Sequence, residues 1–174
     1  MSNEERLFLY TTIMQIKSCK KVKTTFLYRA SVHGWNSTDF HSKCDLKGPT
    51  ITFFKAKDTN LRCGGFTSLN WNVAINGSAD DPSAFLFSLD QKKYYQSQGR
   101  NGVMWQGGPY GPHFGGGSSS ELVVEGSDLK TCCYANPNRG NYSVPADASG
   151  NSVLTGKKGN FHADEIECFQ VLLE

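Results

Sequence analysis

The short apolar and β-branched runs that begin at Thr24 succeed one another across turns of Gly, Asn and Pro, without crossover helices between them. Parallel pairing needs a connection of a dozen or more residues, usually a helix, so this order predicts antiparallel pairing. The candidate strands are 25–28, 50–55, 61–68, 84–89, 93–95, 103–105, 121–124 and 165–172. The second and third, joined by Lys57-Asp58-Thr59-Asn60, read as a hairpin, and the alternation around Phe85 and Phe87 reads as a strand with one buried face. Asn70–Ser83 reads as a polar link, Ser31–Gly34 as a turn, and Thr38–Cys44 as a short helix capped by Asn36 or Ser37 and ended before Gly48-Pro49. The predicted fold class is α+β and β-rich: a two-layer antiparallel β-sandwich flanked by short helices. Eighteen glycines in 174 residues fit so many turns and close backbone approaches.

Ahead of the strands, Ser2 and Glu5 have the spacing of a capping box, and Leu7, Tyr10, Ile13 and Met14 follow a helical period, which predicts one helix over residues 3–20. The length fits one domain, divided into a leading helix and basic stretch over 1–23 and a main body over 24–174. The net charge is only +2, which speaks against a nucleic-acid binder. Residues 1–63 nevertheless carry a surplus of six positive charges and residues 64–174 a deficit of four, so faces of opposite sign are expected. Lys17, Lys20, Lys21 and Lys23 concentrate the positive part and read as a solvated helix end. No run approaches the length of a membrane span, and Leu7–Ile16 lacks the character of a secretory signal, so the chain is expected to be cytoplasmic with free thiols. On that reading the sequons at Asn36, Asn76 and Asn141 are chance matches.

The chemistry-bearing residues do not assemble a catalytic set. The six cysteines (19, 44, 63, 132, 133 and 168) contain no C-x-x-C pair, and the four histidines are scattered singly, so no metal site is expected. His41 and Cys44 share a helix face, read as a surface His beside a partly buried Cys; Cys132-Cys133 reads as two ordinary thiols. Asp80-Asp81 before Pro82 reads as a solvated turn. Glu165 and Glu167 read as the charged outer face of a strand, opposed by Ile166, Cys168 and Val171. The Gly107–Gly117 segment lacks the Gly-Lys-Ser/Thr ending of a phosphate loop, and its glycines are broken by Pro109, Pro112 and His113, so it reads as a strand-to-strand connection. No enzyme activity, cofactor or small-molecule ligand is expected, the alternative from the enzyme class being a thiol antioxidant that uses Cys44 or Cys132-Cys133.

Several segments together resemble the TLDc domain family. They are Phe26-Leu-Tyr-Arg-Ala-Ser-Val-His-Gly-Trp35, then Phe40 and Lys43-Cys44-Asp45 running into Lys47-Gly48-Pro49-Thr50, and Cys63-Gly64-Gly65-Phe66-Thr67-Ser68 with Trp71. The strand around Phe85 and Phe87, Gly115-Gly116-Gly117, Phe161 and Ile166-Glu167-Cys168-Phe169 follow in order. Asn136–Lys158 departs from the pattern as a polar, insertion-like segment. The resemblance implies a stand-alone TLDc protein with a two-sheet sandwich and no established enzyme activity. It implies a protein-interaction role: V-ATPase binding or regulation, through the peripheral subunits, together with protection against oxidative stress. The alternative is a structural part of a large cytoskeletal, microtubule-associated or ciliary assembly. Recognition is expected at loops of one sandwich end, where Gly107–Gly117 and Asn136–Lys158 come together, and at the basic stretch. The candidate contact residues are Lys17, Lys20, Lys21, Lys23, Pro109, Tyr110, His113 and Arg139.

Overall fold

A computed structural model of the chain describes residues 1–99, 102–107, 109–116, 119–124, 128–136 and 140–174. Helix α1 (Asn3–Lys17) leads into β1 (Val22–Arg29), α2 (Ala30–His33) and α3 (Ser37–Cys44). Then follow β2 (Thr50–Ala56), β3 (Arg62–Thr67), β4 (Gly77–Ala79), β5 (Phe85–Ser88), β6 (Lys93–Gln96) and β7 (Met104–Gln106). The chain ends with β8 (His113–Gly116), β9 (Ser119–Val124), β10 (Cys133–Ala135), β11 (Gly159–Phe161) and β12 (Ala163–Leu173). One sheet has the order β1-β12-β2-β3-β5-β6 and the other β11-β10-β9-β8-β7-β4, and neighbouring strands are antiparallel. This is the antiparallel sandwich with flanking helices that the strand order predicts.

The two sheets enclose one apolar core, in which Phe54, Trp71, Leu86, Phe114, Leu122 and Ile166 are fully or almost fully buried. The opposite face of the first sheet carries a second core, where Leu9 and Ile13 of α1 pack on Ile51, Phe66, Phe85, Phe87 and Val171. The first sheet is therefore covered on both sides. That explains β5, whose four residues are all buried rather than alternating: Leu86 faces the other sheet while Phe85 and Phe87 face the helix. It also corrects β12. Val171 shares the parity of Glu165 and Glu167 and belongs to the helix-side core, so the charged face gives way to an apolar one where α1 lies over it.

β3 meets both cores where it has no side chain. A Cβ on Gly64 would lie 2.0 Å from the Thr52 carbonyl oxygen and 2.5 Å from the Phe87 ring; one on Gly65 would lie 2.5 Å from the Phe114 ring. Gly64 stands between Phe53 and Phe87 in register, and its missing side chain lets those two rings approach to 5.4 Å across it.

Other expectations change. The leading helix stops at Lys17 rather than residue 20, because Ser18 takes a left-handed conformation (φ 50°) and the Lys20 and Lys21 N–H groups turn to the Glu174 carbonyl. The Ser31–Gly34 turn is part of α2. The polar link over 70–83 contains the edge strand β4, and the glycine-rich connection contains β8, whose Phe114 fills the space above Gly65. Gly117 lies outside the described residues. Strands β10 and β11 carry no alternating run long enough to mark them in the sequence. Within the insertion-like segment, Tyr142, Val144 and Leu154 are buried in the inter-sheet core, so its described part is built into the sandwich.

Gly64→Ala is expected to cost at least about 2 kcal/mol in urea-unfolding stability, since the added carbon meets backbone that has no room to yield. Gly77→Ala, whose added carbon meets nothing within 4 Å, is the control and should shift stability by less than about 0.5 kcal/mol.

Candidate interaction surface

On the outer face of the first sheet, α1 leaves a strip of aromatic side chains partly open. Phe26, Phe169, Phe53 and Phe87 form a chain of edge-to-face contacts with centroid separations of 5.6, 5.7 and 5.4 Å. Phe26, at its open end, is 45% exposed. A β-bulge in β1 aims this ring. The register passes from Phe26↔Phe169 to Tyr28↔Cys168, so Tyr28 turns into the core and is fully buried while Phe26 faces outward.

Beside the strip lies a hollow of about 220 Å³ lined by Met1, Arg29, Phe53, Lys55, Arg62 and Glu167, among others. Its charges are paired across strands. Arg29 Nε donates to Glu167 Oε1 at 2.6 Å, and Lys55 Nζ to Asp164 at 2.5 Å. The Arg62 guanidinium sits 2.7 Å from Asp90 and 2.8 Å from Glu5 of α1, which anchors the start of the helix to the rim. Glu165 accepts from the backbone and hydroxyl of Ser31. An apolar floor inside a rim of alternating charge is the composition of a protein-recognition surface. The sequence marks Glu167 as a family-motif position on the charged outer face of a strand; the bulge and the helix placement that make the groove carry no local signal.

The sequence-derived contact residues do not form one site. Lys17, Lys20, Lys21 and Lys23 lie where α1 ends and β1 begins, with Lys21 and Lys23 bracketing Glu174 at 3.5 and 2.6 Å. Pro109 is exposed and Tyr110 half-buried on the second sheet. His113 is buried, not available for contact: its ring packs between Tyr110 and Trp105, and its Nε2 lies 2.6 Å from the Ser120 hydroxyl. Arg139 lies outside the described residues. The Gly107–Gly117 and Asn136–Lys158 segments meet at the Val103 carbonyl, which accepts from Gly115 N–H and Tyr142 Oη. Beyond that point they part, Tyr110 running to α3 and Thr155 to Thr59 in the β2–β3 turn.

Most of the motif positions that the structure describes are buried. Cys44, Phe66, Phe85 and Phe87 are buried, Gly48 has a φ of +80° before Pro49, and Lys43 is exposed. Cys44 adjoins Cys168, and desolvation pushes its thiol far up. Burial likewise raises Cys63, and raises Cys133 to about 12, so these thiols resist becoming thiolates. His41 is buried rather than on the surface and spends both ring nitrogens elsewhere, Nδ1 on Asp45 at 2.6 Å and Nε2 on the Tyr110 carbonyl at 2.9 Å. Asp81 is buried too, not solvated. Burial works against its ionisation, but the Ser83 hydroxyl, Ser68 N–H and Thr67 hydroxyl hold the carboxyl below its ordinary range. Among the described residues no group of three or more His, Cys, Asp or Glu is placed to hold a metal ion.

Glu121 is the buried acid that the sequence does not single out. Its carboxyl accepts from the Asn141 and Tyr142 N–H groups at 2.8 and 3.1 Å and from the Asn141 amide at 3.3 Å. Desolvation outweighs these bonds and pushes it up to about 7. Against known families, the TLDc domain model matches residues 1–172. No curated protein matches the chain.

A raised carboxyl binds its proton more tightly when folded, so the stability it contributes is full below about pH 4.5 and declines until about pH 7. In Glu121→Gln that decline is absent. The stability of the natural protein relative to the variant should therefore fall by on the order of 3 kcal/mol between pH 4.5 and 7.5, read by urea unfolding. His113, which burial lowers to about 4, shifts stability the opposite way but is common to both proteins and cancels in the difference.

Proposed function

Since the chain belongs to the TLDc domain family, we propose that it is a non-catalytic docking module that binds peripheral subunits of the V-ATPase, with a role in protection against oxidative stress. The observation that carries this reading is the family match over residues 1–172, nearly the full sequence. The open aromatic strip and its charged rim support a docking role, because half-exposed aromatics beside paired charges supply the anchors of protein interfaces. The burial of Cys44, Cys63 and Cys133 speaks against thiol chemistry at those three, while Cys132 is exposed. No helix among the described residues is long and apolar enough to cross a membrane.

The test is affinity capture with the intact chain under gentle salt, with recovered proteins identified by mass spectrometry. Peripheral V-ATPase subunits are expected, and Phe26→Ser or Glu167→Arg should each lower their recovery about tenfold. The exchange Arg29→Glu with Glu167→Arg restores the rim pair and should restore part of it. Capture without V-ATPase subunits overturns the partner, and recovery of a cytoskeletal assembly in their place assigns the alternative. Unchanged capture by Phe26→Ser moves the docking surface away from the groove.

A further inference from the structure

We propose that the end of the first sheet where α1 stops is a docking surface for anionic lipid bilayers. This end is built from the last turn of α1, the start of β1, the end of β12 and the lead into β2. The Lys20 and Lys21 N–H groups donate to the Glu174 carbonyl, Lys23 stands opposite Leu172 in register, and Gln170 Nε2 donates to the Lys47 carbonyl at 2.6 Å. Lys17, Lys20, Lys21, Lys23 and Lys47 are thereby gathered from separate parts of the sequence onto one end of a rigid sheet.

The acids there are occupied. Glu174 lies between Lys21 and Lys23. Asp45 holds His41 and the Val73 N–H, Asp80 accepts from the Gly102 N–H, and Asp81 is buried under Thr67, Ser68 and Ser83. Five lysines stand against the exposed carboxylates of Glu174 and Asp80 and the covered ones of Asp45 and Asp81, which leaves a local positive surplus on a chain of net charge +2.

The second observation is apolar. Leu46, next to Lys47, is 69% exposed, and its backbone is held at φ 58°, a conformation that a side chain other than glycine rarely takes. The turn is fixed from two sides, by Leu46 N–H to the Trp71 carbonyl at 3.0 Å and by Asp45 accepting from Val73 N–H at 2.8 Å. Val73, 49% exposed, and Leu172, 40% exposed, stand on the same end. Strain spent on holding a leucine outward among lysines suits the bilayer interface, where aliphatic tips enter the headgroup region and ammonium groups meet anionic headgroups. An acidic polypeptide would satisfy the lysines and leave the strained, protruding leucine without a role.

The test is co-sedimentation of the intact protein with vesicles of phosphatidylcholine alone and of phosphatidylcholine containing phosphatidylserine, at low and high salt. Binding to the anionic vesicles alone, reversed by salt, is expected. Lys20→Glu with Lys47→Glu should weaken it at least about twentyfold, since each surface lysine near such a bilayer contributes about fivefold. Leu46→Gly should weaken it several-fold with the salt dependence unchanged, and relief of the strained turn leaves that variant folded. Absence of binding to the anionic vesicles, equal binding to both kinds, or unchanged binding by the lysine double variant overturns the proposal. Retention on polyglutamate beads without vesicle binding assigns the surface to an acidic protein instead.

Discussion

The architecture depends on the approach of two aromatic rings to bare backbone at the middle of one strand. Phe87 reaches over Gly64 from the helix side and Phe114 lands on Gly65 from the other sheet. The Phe114 contact sets the distance of the second sheet, the Phe87 contact packs a neighbouring strand's ring under the helix layer, and neither tolerates an added carbon. The floor on which the helix packs and the seat of the second sheet thus adjoin on two successive residues, and the packing of one face is coupled to that of the other through β3.

Coverage on both sides has a further effect on the surface. α1 is too short to span the whole outer face, and its first turn is tied by Glu5 to Arg62, so the uncovered part of the sheet keeps a fixed boundary. Within that boundary the bulge in β1 divides two neighbouring aromatics between core and solvent, Tyr28 inward and Phe26 outward. A recognition surface arises from what the layers leave open, on rigid strands rather than on mobile loops.

Much of this was legible in the sequence. The capping box of α1, the short helix capped at Asn36 or Ser37 and the β2–β3 hairpin all have local causes, a spacing or a turn. The short strands β4, β10 and β11 were not legible, because Gly-Ser-Ala, Cys-Tyr-Ala and Gly-Asn-Phe contain no β-branched residue and are too short to display an alternating period. Asp81, His41 and Glu121 were misread or missed for a different reason. Their burial is imposed by partners at a distance in the sequence, such as Ser68 for Asp81, Tyr110 for His41 and Asn141 for Glu121. The groove belongs to the same class, since no residue within it reveals that α1 stops short of covering it.

The place of β12 between β1 and β2 bears on how the protein comes off the ribosome. A strand made after the eleven others among the described residues fills a gap between two made early, so until its 11 residues emerge both flanking strands present unpaired edges. Nascent chains in that interval carry the hazard of pairing with one another through those edges. Truncation within β12 would therefore open the sheet at its interior rather than trim its margin.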